Sequence, residues 1–264
     1  MRLSVLPASR SSIDCFSTRA TPLTLLSQVA ARTERIELGT LVLCAPFRPP
    51  AQLAREAKTL TEASRGRFIL GIGAGWHQPE FDAFGFPFDH LVSRFEEYAE
   101  VLTRLLGDRP ADFEGRYHVL RQGQVYGDPA PPPWIAAAGP RMLSLTGRLA
   151  GGWNGAWYGS DPSLFKARLA EVEAALRAAG RERSELIASA GLLVMPGERE
   201  QAAAITGTLD EVAGAIQRFR AAGRDHDVGT GRDELGSDCK AEPLAAAGHN
   251  RGTAVKRDFH GGFL

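Results

Sequence analysis

From Thr21 to Gly223 the chain alternates short apolar runs with stretches whose apolar residues recur every three or four positions. Runs of the first kind suit strands buried on both faces, and the second kind suits helices buried on one face. Strict alternation of the two leaves parallel strands joined by right-handed crossovers, with the helices packed outside the sheet. Thr21 with Pro22 opens a helix carrying Leu25, Leu26, Val29 and Ala30. Ile36 to Leu43 reads as a strand, Ala51 to Ala63 as a helix, and Arg67 to Gly73 as the next strand. His90 to Leu106 is a helix presenting Leu91, Phe95, Tyr98, Leu102 and Leu105. Asp112 to Pro133 breaks the rhythm with aromatics, glycines and prolines, and reads as an excursion of about residues 107–132. The alternation then resumes, with strands over Pro133 to Ala138, Gly152 to Trp157 and Leu186 to Met195. Helices follow over Arg141 to Leu149, from Asp161–Pro162 through Leu164, Val172 and Leu176 to Gly180, and from the capping box Thr208–Glu211 through Val212, Ile216 and Phe219. That predicts five clear strands, a number that fits a doubly wound sheet or a barrel short of eight.

At 264 residues, with 44% hydrophobic and 23% charged, the chain can bury a sizeable core. The 31 basic residues balance 31 acidic ones without a basic stripe, which argues against nucleic acid as a partner. Cys15, Cys44 and Cys239 are odd in number and far apart, which argues against a disulfide framework. Neither a signal-like start nor a membrane-length apolar run is visible, so a cytoplasmic location is the expectation.

The chemistry concentrates where two strands end. Gly66-Arg67-Phe68-Ile69-Leu70-Gly71-Ile72-Gly73-Ala74-Gly75-Trp76 runs from an apolar strand into glycines at every second position. Glycine admits close approach of a backbone to a ligand, because there is no Cβ in the way. The spacing is not a dinucleotide fingerprint: the third glycine comes one residue early and Pro79 follows soon after. A tight strand exit without a ligand fits the glycines alone equally well. Ala136-Ala137-Ala138-Gly139-Pro140-Arg141 passes from strand end to helix start, where free N–H groups attract anions and Arg141 can add a charge-assisted contact. His77 reads as an acid–base group, a substrate contact or a loop histidine, and Glu80 as its orienter or a turn cap. Trp76 and Trp157 can stack on an aromatic ligand or fill the core, and His118 reads as structural. His77, Cys44 and the acids lack metal-site spacing, and no G-x-S-x-G elbow occurs.

Taken in order, these segments resemble the bacterial luciferase-like flavin-dependent oxidoreductases, and within them the branch that often uses the deazaflavin coenzyme F-420. The resemblance covers about residues 20–224. It rests on Ala31 to Val42, Gly66 to Trp76 with Glu80, Phe84 and Gly85, and Phe113 to Tyr117. Ala138 to Arg141, Ala150 to Asn154 and Gly207 to Val212 complete it. It implies a (βα)8 barrel with F-420 or FMN at the C-terminal ends of the strands. Leu41–Val42 would be a non-prolyl cis peptide against the central ring. Gly73, Ala74 and Gly75 would line the ring and its side chain. Ala138, Gly139 and Pro140, with Arg141, would receive the phosphate, and Trp76 and His77 would face substrate. The reaction implied is hydride transfer to or from the ring, or oxygen activation with FMN, on an organic small molecule. No catalytic acid or base is singled out. Members of the family are often homodimers.

Against that pattern, residues 1–20 carry no convincing βαβ signal and form an atypical N-terminus, and residues 225–264 read as a disordered or non-family tail. The expectation is a barrel incomplete at both ends. Two other readings stand beside it: a truncated, non-catalytic relative, and an unrelated barrel lyase or isomerase holding a phosphorylated substrate at Gly139 and Pro140.

Overall fold

The computed structural model describes residues 2–7, 21–197 and 204–224; the readings made for 8–20 and 225–264 lie outside the described residues. The elements follow in order: β1 (Arg2–Pro7), α1 (Pro22–Arg32), β2 (Leu38–Gly39), β3 (Leu43–Cys44), α2 (Pro50–Ala63), β4 (Phe68–Ile69), β5 (Gly71–Gly73), α3 (Gln78–Phe84) and α4 (Leu91–Leu106). Then come β6 (Ala111–Glu114), β7 (Val119–Gly123), β8 (Trp134–Ala136), α5 (Pro140–Leu149), β9 (Gly152–Ala156), α6 (Ser163–Ala178), β10 (Ile187–Pro196), β11 (Ala204–Gly207) and α7 (Leu209–Arg224).

Seven strands form one sheet in the order β1-β10-β9-β8-β5-β3, with β11 also on β10, and every pairing in it is parallel. β2 and β4 pair in parallel just upstream of β3 and β5, so the two predicted strands are each broken in the middle. Thr40 repairs the break: its Oγ1 donates to the Gly71 carbonyl at 2.8 Å and accepts from the Gly71 N–H at 2.9 Å. The excursion contains an antiparallel hairpin, β6–β7, apart from the main sheet.

Two sequence readings need correction. Arg2–Pro7 is a strand of the main sheet, in register with Ser189 to Val194, although residues 1–20 show no βαβ signal on their own. A short strand of a parallel sheet finds its hydrogen bonds far along the chain, and no local turn announces it. β11 was missed for the same reason. Helix faces also shift. In α6, Phe165, Leu169, Val172 and Leu176 are the buried stripe, whereas Leu164 is 55% exposed. In α1 the buried residues are Leu23 and Ala30, and Leu25 faces out.

The helices pack their apolar stripes against the sheet. Leu53, Ala57 and Leu60 of α2, Phe95, Tyr98, Leu102 and Leu105 of α4, and Val212 and Phe219 of α7 are buried in the shared core. Trp153 of β9 points out into this layer, stacked 5.5 Å from Phe165, and its Nε1 donates to the Ala137 carbonyl at 2.9 Å. Among the described residues, no helix is long and apolar enough to cross a membrane.

Candidate functional site

Parallel strands deliver all their C-terminal ends to one side of the sheet, and the loops that follow them enclose a cavity there. It measures about 510 Å³ and is lined from Leu41–Cys44, Gly73–His77 and Ala136–Ala138, with Asn154, Ala156 and Trp157 on the next strand end. Leu91 and Val92 at the start of α4, Met142 of α5, and Glu80 and Phe81 of α3 close the sides. Leu91, read in the sequence as a core position, therefore serves the cavity wall.

Small residues clear the floor between the strands. A Cβ on Gly73 would lie 3.0 Å from Val42 Cγ2 and 3.6 Å from the Ala136 Cβ, so the three positions sit side by side on one face. Gly75 has φ +86°, and a Cβ there would meet Phe81 at 2.7 Å and the Cys44 Sγ at 2.8 Å. Neither conformation nor space admits a side chain. The Leu41–Val42 peptide bond is cis.

Of the residues singled out in the sequence, Leu41, Val42, Gly73, Ala74, Gly75, Trp76, His77 and Ala138 come together around this cavity. Trp76 is 70% exposed at the rim, with its ring 5.3 Å from the His77 imidazole. His77 precedes α3, and its carbonyl accepts the Glu80 N–H at 3.0 Å, with both residues lining the cavity. Trp157 holds φ +63°, rare for a bulky residue, and its N–H donates to the Gly191 carbonyl at 3.2 Å. Gly139 and Pro140 lie beyond the lining, at the first turn of α5, where the N–H groups of Arg141 and Met142 precede the helical ladder. Arg141 does not reach toward the cavity. Its guanidinium pairs with the Glu96 carboxylate and donates to Ser93 Oγ at 3.2 Å, both on α4.

Thr40 and Asn154 stand in segments that carry the resemblance, but neither has a role of its own legible in the residues. Asn154 is 4% exposed, lines the cavity, and donates through Nδ2 to Ser189 Oγ at 2.8 Å. A polar residue inside a buried strand was the available signal. Among the described residues no cluster of three His, Cys, Asp or Glu could hold a metal ion.

The family model for luciferase-like monooxygenases matches residues 4–256. The chain belongs to that family. A phthiodiolone/phenolphthiodiolone dimycocerosates ketoreductase from Mycobacterium sp. (strain JLS) is 34% identical over 185 residues, covering 67% of this chain and 48% of the relative. An F420-dependent glucose-6-phosphate dehydrogenase from Microbacterium testaceum (strain StLB037) is 32% identical over 168 residues, covering 61% of this chain and 49% of the relative. The chain thus spans about half the length of these curated relatives. An F420-dependent secondary alcohol dehydrogenase, solved with an F420–acetone adduct, shares the fold with a TM-score of 0.67 at 19% identity, covering 77% of this chain and 76% of that one. This luciferase-like chain therefore has the family's α/β architecture, and its cavity lies where that architecture collects the C-terminal strand ends.

Proposed function

We propose that the chain is an oxidoreductase that binds F-420 or FMN in the strand-end cavity and exchanges a hydride between that ring and a small organic substrate. With FMN, oxygen activation and monooxygenation is the corresponding chemistry. The observation that carries this reading is the floor of small apolar residues formed by Val42, Gly73 and Ala136 beneath a cavity of about 510 Å³. That volume is in the usual range for small-molecule sites, and a tricyclic ring needs a broad apolar surface without large side chains. The residues present therefore fit the group.

Leu41, Val42 and Gly73 to Gly75 would support the ring. Ala138, Gly139 and Pro140 would bring the start of α5, with its unpaired N–H groups, to the phosphate. Arg141, committed to Glu96, would set the position of that helix instead of touching the phosphate. The cofactor would supply the two-electron chemistry, and the protein would orient and shield it. Leu43, Phe81, Leu91, Val92 and Met142 would exclude water from the ring. Trp76 and Trp157 would hold substrate at the mouth. His77, Glu80 and the Cys44 thiol are the ionisable side chains among the described lining residues, and His77 and Glu80, beside Trp76 at the mouth, would be the groups to carry a proton at that end.

The test is a titration of the purified chain with F-420 and with FMN, followed by ligand fluorescence. Saturable binding of one of them at micromolar concentration supports the reading. Binding of neither at high micromolar concentration overturns it.

A further inference from the structure

The cavity floor ends at a buried amide with an unused acceptor. β9 and β8 pair Asn154 with Ala136, and β10 pairs Ser189 with Asn154. Val42 lies against Gly73, and the inward row runs on from Gly73 through Ala136 to Asn154, with Ser189 behind it. Only the last two positions are polar.

The hydrogen bonds between them have a direction. Ser189 Oγ lies 3.3 Å from the Trp153 carbonyl oxygen, which can only accept. The single hydroxyl proton therefore goes to Trp153, and Ser189 must accept from Asn154 at 2.8 Å. This assigns the Asn154 Nδ2 to Ser189 and fixes the rotation of the amide. Its Oδ1 has no hydrogen-bond partner among the described residues, although the side chain is 4% exposed and lines the cavity. The residue is buried, but the cavity keeps this acceptor within reach of a ligand's N–H.

We infer that Asn154 Oδ1 is the acceptor for a ring N–H at the rim of a planar heterocycle lying on the Val42–Gly73–Ala136 floor. The inference rests on the function proposed above and names its polar anchor. In FMN and in deazaflavins the matching donor is the N–H between the two carbonyls of the pyrimidine ring, N3–H. Ser189 is a positioning residue for that contact: it orients the amide and touches no ligand.

The full chain is titrated with FMN, with 5-deaza-FMN and with the N3-methyl derivative of each, following ligand fluorescence. Methylation removes the donor without touching the protein, so this arm does not depend on whether a variant folds. Methylation is expected to weaken binding to the unaltered chain about ten-fold. Asn154→Leu is expected to weaken the unmethylated ligands by a similar factor and to change the methylated ones by no more than about two-fold. Ser189→Ala releases the amide and should reduce the discrimination against methylated ligand to about three-fold. Equal affinity of methylated and unmethylated ligands for the unaltered chain overturns the assignment. Equal weakening of both by Asn154→Leu also overturns it, because a merely structural role would act that way. If neither unmethylated ligand binds, the proposed function itself falls, and the assignment with it.

Discussion

Gly71 and Gly73 stand two residues apart on one strand and both face Val42, but only Gly71 also abuts backbone. A Cβ on Gly71 would lie 2.0 Å from the Thr40 carbonyl oxygen, which is backbone and cannot move aside. Gly71→Ala is expected to cost about 2–3 kcal/mol of stability. A Cβ on Gly73 would instead press on the Val42 methyl at 3.0 Å and raise the floor. Gly73→Ala should cost less than about 1 kcal/mol while weakening FMN or F-420 about ten-fold. Urea midpoints and a fluorescence titration on both variants separate the two effects, and equal behaviour would contradict this division of roles. Arg67 is another residue of consequence. Its guanidinium donates to the carbonyls of Ser64 at 2.8 Å, Ile36 at 2.6 Å, Thr33 at 2.7 Å and Ala30 at 3.1 Å, and to Thr33 Oγ1 at 3.1 Å. It thereby ties the end of α1 to β4. Arg67→Ala is expected to cost about 2–3 kcal/mol in urea denaturation. Lysine should recover little of it, because an ammonium cannot fork to five acceptors.

The excursion is held to the body of the protein by two charged side chains on helices. Lys58 of α2 is 4% exposed, and its Nζ donates to the carbonyls of Gly107 at 2.6 Å, Val125 at 2.7 Å and Gly127 at 3.3 Å. Glu97 of α4 accepts the N–H groups of Arg116 at 2.9 Å, Tyr117 at 2.7 Å and His118 at 2.9 Å, at the tip of the β6–β7 hairpin. Burial works against the charged form of Glu97, but the three N–H donors outweigh it and hold the carboxyl below its ordinary value. Folding therefore favours the ionised form. Its contribution is complete above the ordinary carboxylate range and is lost as pH falls through the lowered value. Amide-exchange protection at residues 116–118 should fall in the native chain as pH drops below the ordinary carboxylate range and through the lowered value of Glu97. In Glu97→Gln that step should vanish, leaving lower protection throughout, and an unchanged step would assign the titration elsewhere. Lys58→Met should lower protection over residues 107–127 while sparing the main sheet.

For the molecule as a whole, the sheet ties distant parts of the chain together: β1 lies along β10, and β11 lies along β10 as well. A ligand seated on the ends of β3, β5, β8 and β9 would bridge strands that come from separate βα units. Its binding should therefore raise global stability. With FMN or F-420 at about one hundred times its dissociation constant, unfolding should cost about 2.7 kcal/mol more. Urea denaturation with and without the ligand measures this. A midpoint that does not move in saturating, independently verified complex would mean that the ligand binds the unfolded chain as well.

The alternation of apolar runs and amphipathic helices was legible in the residues because period and polarity are local properties. Most helices and the interior strands followed from it, as did the capping box: the Thr208 N–H lies 2.7 Å from Glu211 Oε2. The glycine segment and the Ala138 segment after β8, singled out in the residues, line the strand-end cavity. Other features depended on which strands become neighbours. The residues of β1 are ordinary until Ser189 to Val194 lie beside them. That Arg141 pairs with Glu96 emerged only when the fold set the start of α5 against α4. Asn154 became a directed acceptor only when register placed Ser189 next to it. The order of residues along the chain was enough for the elements and for the small side chains that clear a floor. The partners of each polar group had to wait for the folded sheet, because hydrogen bonds between strands join residues that the sequence keeps far apart.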